Sequence, residues 1–170
     1  MTLGAHERRD VEAAVSFLES RGLGPTALFG ISMGAAIAIV SAPDLPVAAV
    51  VADAAFAELR HPIANRMRHA GYPLSAIGSR AVVAAASLRT RSRLTDPVRA
   101  VGRIAPRALL LIAPKGDELI SWRQSVRLFE AAREPKELYV VPGAGHAEAY
   151  AVDPDGYRRR VLDFLERHLG

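Results

Sequence analysis

No cysteine occurs among the 170 residues. Disulfides and thiolate metal sites are excluded, so stability must come from an apolar core. Aromatic residues are scarce at 6%, which leaves little material for stacking on nucleobases. No apolar run reaches the roughly 18 residues that span a bilayer. Met1 to Asp10 is polar and charged and lacks the apolar stretch of a secretory signal. These absences point to a protein with no nucleic-acid partner and no membrane partner, cytoplasmic by default. One absence is local. Arg60 to Thr95 contains no Asp or Glu but seven arginines, so that segment carries +7 within a chain of net +4. It reads as a solvated basic face or as a contact for an anionic ligand.

What is present suits a single domain covering residues 1–170, with 50% hydrophobic and 24% charged residues. Val11, Ala14, Val15 and Leu18 keep helical spacing, which predicts an amphipathic helix over Glu7 to Ser20. Gly22, Gly24 and Pro25 end it. Short apolar runs at Thr26–Phe29, Val47–Ala52, Ala108–Ala113 and Glu137–Val141 predict four strands. Between and after them lie helical segments at Ala35–Ala42, Ser121–Arg133 and Gly156–Leu169. The last is expected to bury Val161, Leu162, Leu165 and Leu169, and Ser121–Arg133 to present Val126 and Phe129 on one face. Strands alternating with helices imply an α/β fold with a mostly parallel sheet of about four strands, covered by helices. Residues 54–103 fit this rhythm poorly. Ile63, Met67, Ala70, Leu74 and Ile77 keep a 4-3-4-3 spacing that Pro73 breaks into two short helices. Ala81–Leu88 adds another, so the region is expected to be a small helical, Arg-rich insert or lid.

The chemistry concentrates at Gly30-Ile31-Ser32-Met33-Gly34. This G-x-S-x-G pattern lies between the first strand and a small-residue helix, which forces a tight turn at Ser32. Gly30 and Gly34 are expected to let the backbone pass close to its neighbours without a Cβ clash. Ser32 would then stand exposed at a helix N-terminus, where N–H groups can meet developing negative charge. By chance alone the pattern arises in very roughly one chain in twenty of this length, and a plain Gly-rich turn with Ser32 as a helix cap is the competing reading. A nucleophilic serine needs a general base and an orienting group. His146, in a Gly-rich loop after the fourth strand, suits the base. Asp117 follows the third strand, and Asp53 ends the second as an alternative acid. Asp117 could instead cap the helix after it, and His146 could be a plain loop residue. His6, His61, His69 and His168 read as surface residues. In a parallel sheet all these loops leave at the same C-terminal rim.

With these residues in place, the chain resembles the α/β-hydrolases, in particular the dienelactone-hydrolase-like and prolyl-oligopeptidase-like serine hydrolases. The resemblance is carried by Glu7–Leu18, Gly30–Gly34, Asp96–Asp117 and Glu134–Tyr150. It implies Ser32 as nucleophile, His146 as base, Asp117 as acid and Met33 as donor of an oxyanion-hole N–H. No cofactor or metal is implied. The resemblance also implies that the chain corresponds to the C-terminal half of that fold, from just before the family's fifth strand. The expectation is a truncated start, since no segment upstream of Ser32 supplies the second oxyanion N–H. Losing one such donor costs about 2.7–4 kcal/mol of transition-state stabilisation. The implied function is hydrolysis of a small ester or related acyl substrate through an acyl-enzyme. The alternative is a catalytically weak or inactive remnant acting as a binding or oligomerising module, with homo-oligomers forming through the exposed sheet edge.

Overall fold

The computed structural model describes residues 6–91 and 94–170. Strands β1 (Ala27–Ile31), β2 (Ala49–Asp53), β3 (Ala108–Pro114) and β4 (Lys136–Val141) form one sheet in the order β1-β2-β3-β4. Every neighbouring pair is parallel, with Ile31 opposite Asp53 and Asp53 opposite Ile112. The central strands β2 and β3 are buried along their whole length. Their continuous apolar runs follow from being covered on both faces.

Side chains alternate between two cores, as the period of a strand requires. On one face Val50, Ala52, Leu109 and Leu111 meet Val15 of α1 (Glu7–Ser20), Ala35, Ala38 and Ile39 of α2 (Met33–Ser41), and Leu128 further along the chain. On the other, Val51, Leu110 and Ile112 meet Tyr157, Val161 and Phe164. Alanines dominate the buried side of α2, which lets it lie close against the sheet.

The segment between β2 and β3 holds α3 (Arg60–His69), α4 (Ser75–Thr90) and the short α5 (Pro97–Ala100). The three short helices expected over 63–88 are in fact two, because Pro73 ends one and the next runs unbroken for 16 residues. After β3 comes α6 (Arg123–Ala131); α7 (Ala149–Val152) and α8 (Pro154–Leu169) close the chain. Two burial expectations change. In α8 Leu162 is exposed and Phe164 takes the core position, and in α6 Leu128 is the fully buried residue while Phe129 packs only partly. Observed strand ends differ from expectation by one or two residues, since backbone pairing rather than hydrophobicity sets them.

Candidate active site

β1 brings the chain to Ser32 and α2 leads it away. Ser32 has φ 55° and ψ −114°, a strained geometry for a residue with a side chain. Backbone bonds hold it there. Its N–H donates to the Asp53 carbonyl at 2.8 Å, and its own carbonyl accepts from the Ala36 N–H at 3.2 Å. The crowding at this turn falls on Gly30, where a Cβ would lie 2.3 Å from the Gly34 carbonyl carbon and oxygen. A Cβ at Gly34 would meet nothing within 4 Å, so the expected need for a glycine there is not a matter of space.

Asp117 leaves the end of β3 with its side chain fully buried. One carboxylate oxygen accepts the N–H groups of Leu119 at 2.9 Å and Ile120 at 2.8 Å. The other lies 2.7 Å from His146 Nδ1. Asp117 caps no helix, since α6 (Arg123–Ala131) begins later and has no side-chain cap; one carboxylate oxygen braces the loop and the other is left for His146. The two loops are laced together: Gly116 N–H donates to the Ala144 carbonyl at 2.8 Å and Lys115 N–H to that of Val141 at 2.9 Å. Glu148 accepts from the Gly145 N–H at 3.2 Å and braces the turn before His146.

His146 Nε2 lies 2.9 Å from Ser32 Oγ, and the imidazole remains 28% exposed. A carboxylate only accepts hydrogen bonds, which assigns the proton to Nδ1 and leaves Nε2 to accept the Ser32 hydroxyl. Met33 is the first residue of α2. Its N–H has no carbonyl four residues back in the helix to bind, and it adjoins the serine.

Asp53 is buried at the end of β2, but it does not bond His146. One of its oxygens accepts from the Tyr157 hydroxyl at 3.0 Å, while the other is buried without a hydrogen-bond partner among the described residues. Burial is the main cause that pushes its pKa up to about 6, against the lowering effect of the Tyr157 bond. Tyr157, Glu148 and Asn65 had no sequence signal. Asn65 on α3 donates to the Leu119 carbonyl at 2.7 Å, tying the insert to the loop that carries Asp117. Such residues are isolated polar positions without periodicity, so only their partners reveal them.

Of the four remaining histidines, His6 and His69 are exposed as expected. His61 and His168 are half-buried instead. Burial lowers the His61 pKa, and the His168 ring lies 4.9 Å from that of Phe164. No group of three His, Asp or Glu side chains able to hold a metal occurs among the described residues.

No family model matches the chain. It is 29% identical over 178 residues to the uncharacterized protein YqkD of Bacillus subtilis, covering 96% of this chain and 55% of that one. The Pyrococcus furiosus esterase Pf2001 superposes with a TM-score of 0.79 at 25% identity, covering 99% of this chain and 65% of the esterase. The α/β hydrolase GrgF from a Penicillium species superposes with a TM-score of 0.74 at 22% identity, covering 98% and 72%. The chain thus spans only about half to two thirds of the length of YqkD and Pf2001. The parallel sheet order, the strand–turn–helix at Ser32 and these backbone likenesses show that the chain has the α/β-hydrolase fold.

Proposed function

We propose that the chain carries the site of a serine hydrolase acting on carboxylic esters or related acyl bonds. The observation that carries this reading is the line from Ser32 Oγ to His146 Nε2, 2.9 Å, and from His146 Nδ1 to Asp117, 2.7 Å. In this mechanism Ser32 Oγ attacks the acyl carbon while its proton passes to His146 Nε2. The carbonyl oxygen becomes an oxyanion that the Met33 N–H meets at the start of α2. Collapse breaks the bond to the leaving alkoxide, which takes the proton from His146 and departs as alcohol. Water then attacks the acyl-enzyme, gives its proton to His146 and releases the acid, and the proton returns to Ser32. Asp117, fixed by two backbone N–H groups, holds the imidazole in the required tautomer throughout. No step needs a cofactor or metal.

A fluorophosphonate probe tests the reading. It should label the wild-type chain and leave Ser32→Ala unlabelled. Asp117→Asn should lower p-nitrophenyl ester turnover by on the order of 10³–10⁴, whereas Asp53→Asn should retain most of it. Absence of label from both this chain and a longer one containing it would overturn the proposal. Equal losses for the two Asp variants would remove Asp117 from its role.

A further inference from the structure

α4 is built the wrong way round for a helix that only covers a core. The face it turns inward carries Ser75 and Ser79, which are buried, and Val83, which packs beside Met33 on the cluster of Phe56, Leu59 and Ile120. A soluble helix normally turns its apolar stripe inward and its polar residues to water. Here the opposite face reads Leu74, Ile77, Ala81, Ala84 and Leu88, a 3-4-3-4 spacing that holds one side of a helix. All five residues are exposed, with Leu74 at 66%, Ile77 at 63% and Leu88 at 80%. Tyr72, in the turn that leads into this helix, is exposed as well.

Charge identifies what fits the stripe. At about 100° per residue, Arg80 falls on one flank of it and Arg89 on the other. Arg91 caps the helix end, and Arg66 is exposed on α3. None of these four guanidinium groups has a carboxylate within ion-pair distance among the described residues, and the sequence between residues 60 and 95 has no acid to offer one. A second copy seated on this face would press cation against cation. An anionic lipid surface satisfies both features, since the apolar stripe enters the acyl boundary while arginine heads stay at the phosphates with their stems along the stripe. We propose that the outward face of α4, from Leu74 to Leu88 with Arg80 and Arg89 on its flanks, docks the chain on an anionic lipid bilayer. The expectation of no membrane partner rested on the lack of a spanning segment, and a surface helix needs none. Docking is independent of the hydrolase reading.

Flotation with vesicles tests it, comparing pure phosphatidylcholine with phosphatidylcholine containing about one-quarter phosphatidylglycerol. The wild-type chain should float with the anionic vesicles and release as salt rises. Leu74→Gln with Leu88→Gln, both at exposed positions, should abolish flotation with the helical circular dichroism unchanged. Arg80→Gln with Arg89→Gln should weaken it roughly 30-fold, and Ser32→Ala should float like wild type. Equal partition to both vesicle types, no flotation, or flotation indifferent to Leu74 and Leu88 would overturn the proposal. So would a dimer in light scattering that Leu88→Gln dissolves, which would assign the face to a second copy.

Discussion

Gly30 and Gly34 look equivalent in the G-x-S-x-G pattern, yet their surroundings differ sharply. Gly30→Ala places a carbon 2.3 Å from backbone atoms of Gly34 that cannot move aside. It should destabilise by well over 3 kcal/mol or prevent folding. Gly34→Ala should be neutral or stabilise by up to about 1 kcal/mol, because alanine is the better helix residue; thermal unfolding of the two variants separates them. Asp53 supports a second expectation. Its native pKa of about 6 lies above the ordinary 3.8, so the folded state binds its proton more tightly than the unfolded chain. Its cost to stability is therefore absent below about pH 4, grows as pH rises, and is complete above about pH 6. Relative to wild type, Asp53→Asn should gain stability across that window and hold the gain at pH 8, by an amount of order 2–3 kcal/mol. Urea midpoints measured from pH 4 to pH 8 would show it, and parallel curves for the two proteins would refute it.

At the scale of elements, apolar spacing located nearly every helix and strand, and burial then assigned their faces. In α8 the stripe of Val161, Leu162, Leu165 and Leu169 looked sufficient by spacing. The sheet beneath instead takes Tyr157, Val161 and Phe164, a rotation of the helix that a one-sided count of leucines does not determine. Phe164→Ala should cost about 3–5 kcal/mol, and Leu162→Ala less than about 0.5 kcal/mol, by chemical denaturation. The same ambiguity hid α4. Leu74 and Ile77 continue a spacing that begins at the half-buried Ile63 and Met67, yet after Pro73 the chain turns and the stripe faces outward.

For the molecule as a whole, β1 is the critical boundary. It pairs with β2 on one side and with no other strand among the described residues, and Phe29 and Ile31, on the same sheet face as Val51 and α8, are left exposed at this edge. An unpaired apolar edge invites strand addition. This chain should therefore associate as concentration rises, and Ile31→Lys should reduce that association in light scattering. What the sequence determined by itself was the order of elements, the parallel class of sheet and the strand-end positions of Ser32, Asp53, Asp117 and His146, because periodicity and turn residues are local. Choosing between the two carboxylates was not local. His146 lies 29 residues from Asp117 and 114 from Ser32, and the β3 and β4 loops meet only because those strands are neighbours and their backbones bond each other. Spacing tells which residues share a face, but only packing decides where that face points, and this is why only the tertiary structure showed that Asp117, not Asp53, bonds His146 and that the stripe of α4 faces solvent.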